Sequence, residues 1–81
     1  MSKTFHLTIA RVGENLFDGD AQAVTLPGEE GVFTVMANHE AFVTPLVKGT
    51  AVVERADGTK ESYEIEKGIA EVSSNQATVL L

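Results

Sequence analysis

Cysteine and tryptophan are absent from this chain, proline occurs twice and histidine twice. Without cysteine, neither a disulfide nor a thiolate metal site can brace the fold. Bases are scarce: six lysines and arginines stand against twelve acids, a net charge of −6. Such a chain repels phosphate, which excludes nucleic acid and anionic membrane surfaces as partners and favours a basic protein surface. No apolar run approaches the roughly 20 residues of a membrane-spanning helix, so direct membrane insertion is not expected. Lys3 is not followed by a continuous apolar stretch, so no signal peptide is predicted. Linkers, repeats and low-complexity segments are lacking too. The 81 residues are expected to form a single domain, 1–81, whose modest core must suffice alone or be helped by a partner.

What is present is alternation. Phe5, Leu7 and Ile9 interleave with Thr4, His6 and Thr8, the period-two pattern of a half-buried strand. Arg11 to Asn15 reads as a turn, Asn15-Leu16-Phe17-Asp18 as a short piece, and Gly19-Asp20 as a second turn. Gln22 to Leu26 forms the next strand, stopped by Pro27-Gly28. Further strands follow at Val32–Met36, Ala41–Thr44, Thr50–Arg55, Ser62–Glu66, Ile69–Ser73 and Ala77–Leu81. Pro45 ends the fourth run or places it at a sheet edge. Asp57-Gly58 predicts a two-residue hairpin with positive φ at both positions. No window supports an amphipathic helix. Short strands at regular spacing indicate an all-β sandwich or barrel. The apolar phases nominate Phe5, Leu7, Ile9, Phe17, Val24, Leu26, Phe33, Val35, Leu46, Val53, Ile65, Val72 and Val79 as core.

Catalytic chemistry is nearly missing. His6 lies on the polar phase of the first strand. His39 sits in a polar loop beside Asn38 and Glu40 without a second ligand at metal spacing. Glu29 and Glu30 lie between Gly28 and Gly31, where two carboxylates argue against a phosphate cradle. They project negative charge from a tight turn, either as a solvated loop or toward a basic partner. The residues alone describe a small acidic β module: a scaffold or interaction domain before an enzyme. A ligand-binding or protein-interaction module of another kind stays open.

The order of features resembles the N-terminal β-sandwich domain of the epsilon subunit of F-type rotary ATP synthases. Thr4-Phe5-His6-Leu7-Thr8-Ile9 is similar to that family's opening strand. Leu16-Phe17-Asp18-Gly19 and Val24-Thr25-Leu26-Pro27-Gly28-Glu29-Glu30-Gly31 resemble its next two elements. His39, Phe42-Val43-Thr44, Leu46 and Lys48-Gly49 resemble the stretch after its loop histidine. Gly68-Ile69-Ala70-Glu71-Val72, Asn75 and Thr78-Val79-Leu80 resemble its closing strands. Ala37-Asn38 departs from the usual Pro-Gly, Thr34 from a common glycine, Glu40-Ala41 from Ala-Pro, and Val32 from a frequent acid.

The resemblance implies a two-sheet β-sandwich of about nine to ten short strands, without the C-terminal helical domain that inhibits rotation or binds ATP in relatives. It implies a non-catalytic rotor subunit, needing no cofactor, that couples the gamma subunit to the membrane c-ring. The protein is expected to be monomeric alone and heteromeric in the complex, at the cytoplasmic face of the bacterial plasma membrane. Carried over position by position, Glu29, Glu30, Gly31 and His39 face the c-ring. Arg11, His39 and Thr44 face gamma.

Overall fold

The structure is a computed structural model that describes residues 3–81. Its elements are β1 (Phe5–Arg11), β2 (Glu14–Gly28), β3 (Gly31–Met36), β4 (Phe42–Leu46), β5 (Gly49–Arg55), β6 (Lys60–Ile65), β7 (Gly68–Ser73) and β8 (Gln76–Leu80). The strands form a β-sandwich, as the sequence predicts, but among the described residues they number eight rather than nine to ten. The difference lies in β2, a continuous ribbon of 15 residues. Gly19 and Asp20, read from sequence as a turn, stay in the ladder opposite Leu7 and His6. A glycine beside an aspartate is a turn signal only where the chain lacks a partner strand, and β1 supplies one here.

The long ribbon serves both layers. Its first half pairs with β1, and its second half lies between β3 and β5. A register shift between Ala21 and Ala23 marks the change of partner, where a bulge sharpens the bend of the strand. One layer runs β1-β8-β7-β4, with the first half of β2 beside β1. The other runs β3-β2-β5-β6. β4 crosses back to β2 at Leu46 and Gly28. There the Val47 N–H donates to the Pro27 carbonyl at 2.9 Å. β1 and β8 are parallel neighbours, with Leu7 opposite Ala77 and Ile9 opposite Val79.

Alternate side chains of both layers meet in one core. Every nominated core residue is buried except Phe33, which is half-buried and packs against the cluster. Four alanines, Ala21, Ala51, Ala70 and Ala77, complete the core. Their inward phase is set by strand register, which hydropathy alone does not rank for so small a side chain.

The hairpin turn at Asp57-Gly58 differs from expectation. At Asp57-Gly58 only Gly58 has positive φ, at 90°. The Gly58 N–H donates to the Arg55 carbonyl at 2.9 Å, and the Arg55 N–H to the Thr59 carbonyl at 2.8 Å. That is a three-residue loop ending in a left-handed glycine, not a two-residue turn. The two-residue turn with both positions left-handed is Ser74-Asn75, at φ 47° and 59°, closing the Ser73–Gln76 pair.

Candidate interaction surfaces

Glu29 and Glu30 are the two central residues of the β2–β3 turn, bounded by the Gly28–Gly31 pair. Gly31 has φ 130°, a backbone conformation that side-chain-bearing residues rarely adopt. The Glu29 N–H donates to the Pro45 carbonyl at 3.1 Å, which pins the acidic turn against β4. β4 continues through Pro45 to Leu46 and is the last strand of its layer's path from β1, the kind of place where a missing N–H is tolerated.

Between this turn and β4 lies an open groove of about 650 Å3. Glu29, Glu30 and Glu40 bring carboxylates to it, and neither lysine nor arginine lines it. Its apolar lining includes Val32, which is 73% exposed, and Phe33 and Phe42. The His39 ring lies 5.0 Å from that of Phe42, measured between centroids. The groove is therefore negative at the polar groups and apolar below, suited to a basic segment with an aliphatic stem.

The β3–β4 loop presents His39. The His39 N–H donates to the Met36 carbonyl at 3.3 Å, which closes a turn through Asn38 at φ 64°. Asparagine takes the left-handed region more readily than other side-chain-bearing residues. Asn38 thus supplies the conformation for which a glycine is common in the resembled family. His39 Nδ1 lies 2.8 Å from the Glu40 carbonyl oxygen. A carbonyl only accepts, so Nδ1 carries the proton and Nε2 is the acceptor of the neutral ring.

Glu29, Glu30, Gly31, His39 and Thr44 all border this one groove. Arg11 does not. It sits at the β1–β2 hairpin, in a separate hollow of about 400 Å3 with Val12, Glu64, Glu66, Lys67 and Leu81. Its Nε lies 3.9 Å from Glu14 Oε1, with both side chains about half-exposed, a contact of little energetic weight. Thr44 is half-buried and shares the inward phase of Leu46, opposite Ala70. The outward residues of β4 are its neighbours Val43 and Pro45, both exposed.

A second surface was not singled out in the sequence. On the outer face of the first layer, Ala10 lies opposite Leu80, Leu80 opposite Ile69, and Ile69 opposite Pro45. This apolar row crosses four strands, with Leu80 49% and Ile69 39% exposed. Val43 extends it at 59% exposure. The signal is readable in principle. Ile69-Ala70 and Val79-Leu80 put apolar residues on both phases of their strands, as in strands covered on both faces.

The chain matches the family model described as ATP synthase, Delta/Epsilon chain, beta-sandwich domain, over residues 4–81. It is 42% identical over 78 residues to an ATP synthase epsilon chain of Nitratiruptor sp., covering 96% of this chain and 60% of that one. It is 36% identical over 77 residues to the epsilon chain of Polaromonas naphthalenivorans, covering 95% of this chain and 56% of the relative. The chain therefore spans under two-thirds of the length of these relatives. A chain in the Euglena gracilis mitochondrial ATP synthase, in its OSCP/F1/c-ring assembly, superposes with a TM-score of 0.89 at 30% identity. That match covers 95% of this chain and 49% of the other. A chain from the central stalk and c-ring of the Tetrahymena thermophila mitochondrial enzyme shares the fold, with a TM-score of 0.77 at 10% identity and coverage of 98% and 63%.

Proposed function

Because the chain belongs to the beta-sandwich family of the ATP synthase delta/epsilon chain, we propose that it is a non-catalytic subunit of the central stalk, coupling the gamma subunit to the c-ring. One observation carries this reading: two chemically different surfaces stand on one stiff sandwich. The groove between the acidic turn and β4 is negative, and the outer row from Ala10 to Pro45 is apolar. The two surfaces meet at β4, where Val43 and Pro45 also line the groove, and the sandwich holds them in fixed relation, as a linker between two rotor parts needs.

The acidic turn at Glu29 and Glu30 meets the basic c-ring loop, with His39 at the same mouth. Val32, where relatives often carry an acid, adds an apolar contact at the groove's edge. The apolar row, with Arg11 and the hairpin at one end and Val43 at the other, meets gamma. Thr44 acts there through the placement of Val43 and Pro45, because its own side chain turns inward. The subunit works at the cytoplasmic face of a bacterial plasma membrane and contributes no catalytic group. Among the described residues, no helix is long and apolar enough to cross a membrane.

Co-purification tests the reading. The chain should bind purified gamma and should also be retained by assembled c-ring carrying gamma. Replacing Glu29→Lys with Glu30→Lys should weaken ring retention and spare gamma. Ile69→Lys should do the reverse. Binding to neither partner would refute the coupling role. Equal loss of both contacts in the turn variant would refute the assignment of the groove to the ring. A melting shift with metabolites, and none with gamma, would favour a ligand-binding module instead.

A further inference from the structure

Residues 39–41 of the loop that carries His39 belong to no strand. The loop is tied by two backbone N–H groups. One is the local His39 to Met36 bond at 3.3 Å. The other reaches far along the chain: the Asn38 N–H donates to Asn75 Oδ1 at 2.8 Å. Asn75 stands in the β7–β8 turn, outside the groove.

Asn75 makes three contacts with two segments. Its Oδ1 accepts from Asn38, and its Nδ2 donates to the Thr4 carbonyl at 3.0 Å. Its backbone carbonyl accepts from the His6 N–H at 3.2 Å. The amide orientation is fixed by its partners. A flip would set NH2 against an N–H and an oxygen against an oxygen. The left-handed conformation of the turn holds the side chain where it meets the start of the chain and the Asn38 loop together. No aliphatic residue of similar size offers both a donor and an acceptor.

We propose that Asn75 is a positioning residue for the groove. It does not line the groove, but it fixes the Met36–His39 turn and, through it, the place of the His39 ring against Phe42. The effect on partner affinity rests on the reading of the groove as a partner surface. The coupling between Asn75 and the His39 loop does not.

Two variants separate this role from simple support of the β7–β8 turn. Asn75→Gly keeps the left-handed backbone and removes both side-chain bonds. Asn75→Asp keeps an acceptor for the Asn38 N–H and removes the donor to Thr4. In Asn75→Gly, hydrogen exchange of the Asn38 amide should quicken by about fivefold, the size of one lost hydrogen bond. The His39 ring signals in a proton–carbon spectrum should move, while the Ser73 and Gln76 amides keep their protection. Asn75→Asp keeps the acceptor but sets a second oxygen against the Thr4 carbonyl, so it should return the Asn38 exchange rate and the His39 signals part of the way to wild type. Retention by c-ring should fall several-fold in Asn75→Gly and recover in part in Asn75→Asp.

Unchanged Asn38 exchange and unmoved His39 signals in Asn75→Gly would overturn the proposal. So would an Asn38 amide that exchanges as fast as an unprotected loop amide in the wild-type protein, a measurement that needs no variant. Moved His39 signals with unchanged ring retention would uphold the coupling and refute the groove as the ring-facing surface.

Discussion

The ring of Phe42 meets that of Phe33 edge-on, with centroids 5.3 Å apart and planes at 73°. Phe33 belongs to β3 and Phe42 to β4, so the pair joins the two layers at the groove. Both are half-buried. An edge-to-face pair contributes about 0.5–1.5 kcal/mol beyond the area it buries. Phe42→Ala should therefore cost about 1–3 kcal/mol, less than a fully buried phenylalanine would. It should also remove the surface on which the His39 ring rests. Urea denaturation gives the first quantity and the His39 ring signals the second. An unchanged urea midpoint would show that the aromatic contact does not hold the layers.

Val72 lies opposite Phe42 on one side and Ala77 on the other, and it is 4% exposed. Val72→Ala should open a cavity in the core at a cost of about 1–3 kcal/mol. Retained thermal stability would place Val72 outside the core.

Asn38 carries φ 64°. Asn38→Gly should leave stability within about 0.5 kcal/mol, because glycine takes that conformation without a steric penalty. Asn38→Val should cost about 1–2 kcal/mol, since a β-branched residue is strained there. Equal stability of the two variants, compared by thermal melting, would argue against a left-handed Asn38 in solution.

The fold favours the ionised form of Asp57. The Thr59 hydroxyl donates to Asp57 Oδ1 at 2.6 Å and the Thr59 N–H at 2.9 Å. These bonds, the hydroxyl first, favour the carboxylate and hold its pKa below the ordinary 3.8, with a smaller pull from Arg55. The folded value lies below the unfolded one. The stabilisation is thus full above the unfolded pKa and is lost as pH falls through the folded pKa. Thr59→Val should raise the Asp57 midpoint in a carboxyl carbon titration while the backbone bond persists. An unmoved midpoint would assign the shift elsewhere.

Much of the fold was legible because strand alternation is a local property. Phe5, Leu7 and Ile9 announce their inward phase without reference to any other strand. The continuity of β2 through Gly19-Asp20 was not legible, because a turn-forming pair stays extended only when a partner strand holds it. Asp57-Gly58 gives a three-residue loop rather than a two-residue turn for a related reason. Loop length depends on the register of both flanking strands, not on the two central residues alone. At the candidate site, the turn of Glu29 to Gly31 and the His39 loop were each visible in sequence. Their convergence follows from β4 returning to β2 at Leu46, which no local pattern encodes. Arg11 separates from them because the β1–β2 hairpin ends beside Glu64 and Lys67 instead. The tie from Asn75 to Asn38 spans 37 positions and leaves no sequence periodicity behind.

The parallel pairing of β1 with β8 also sets a schedule for synthesis. A ribosome releases Phe5–Arg11 well before Gln76–Leu80 exists, at about 5–20 residues per second. β1 can fold back on β2 at once, but its other edge stays bare for several seconds. A chain interrupted before its last strand would hold one layer open along that edge. The sandwich can therefore close only after nearly all of these residues have left the exit tunnel.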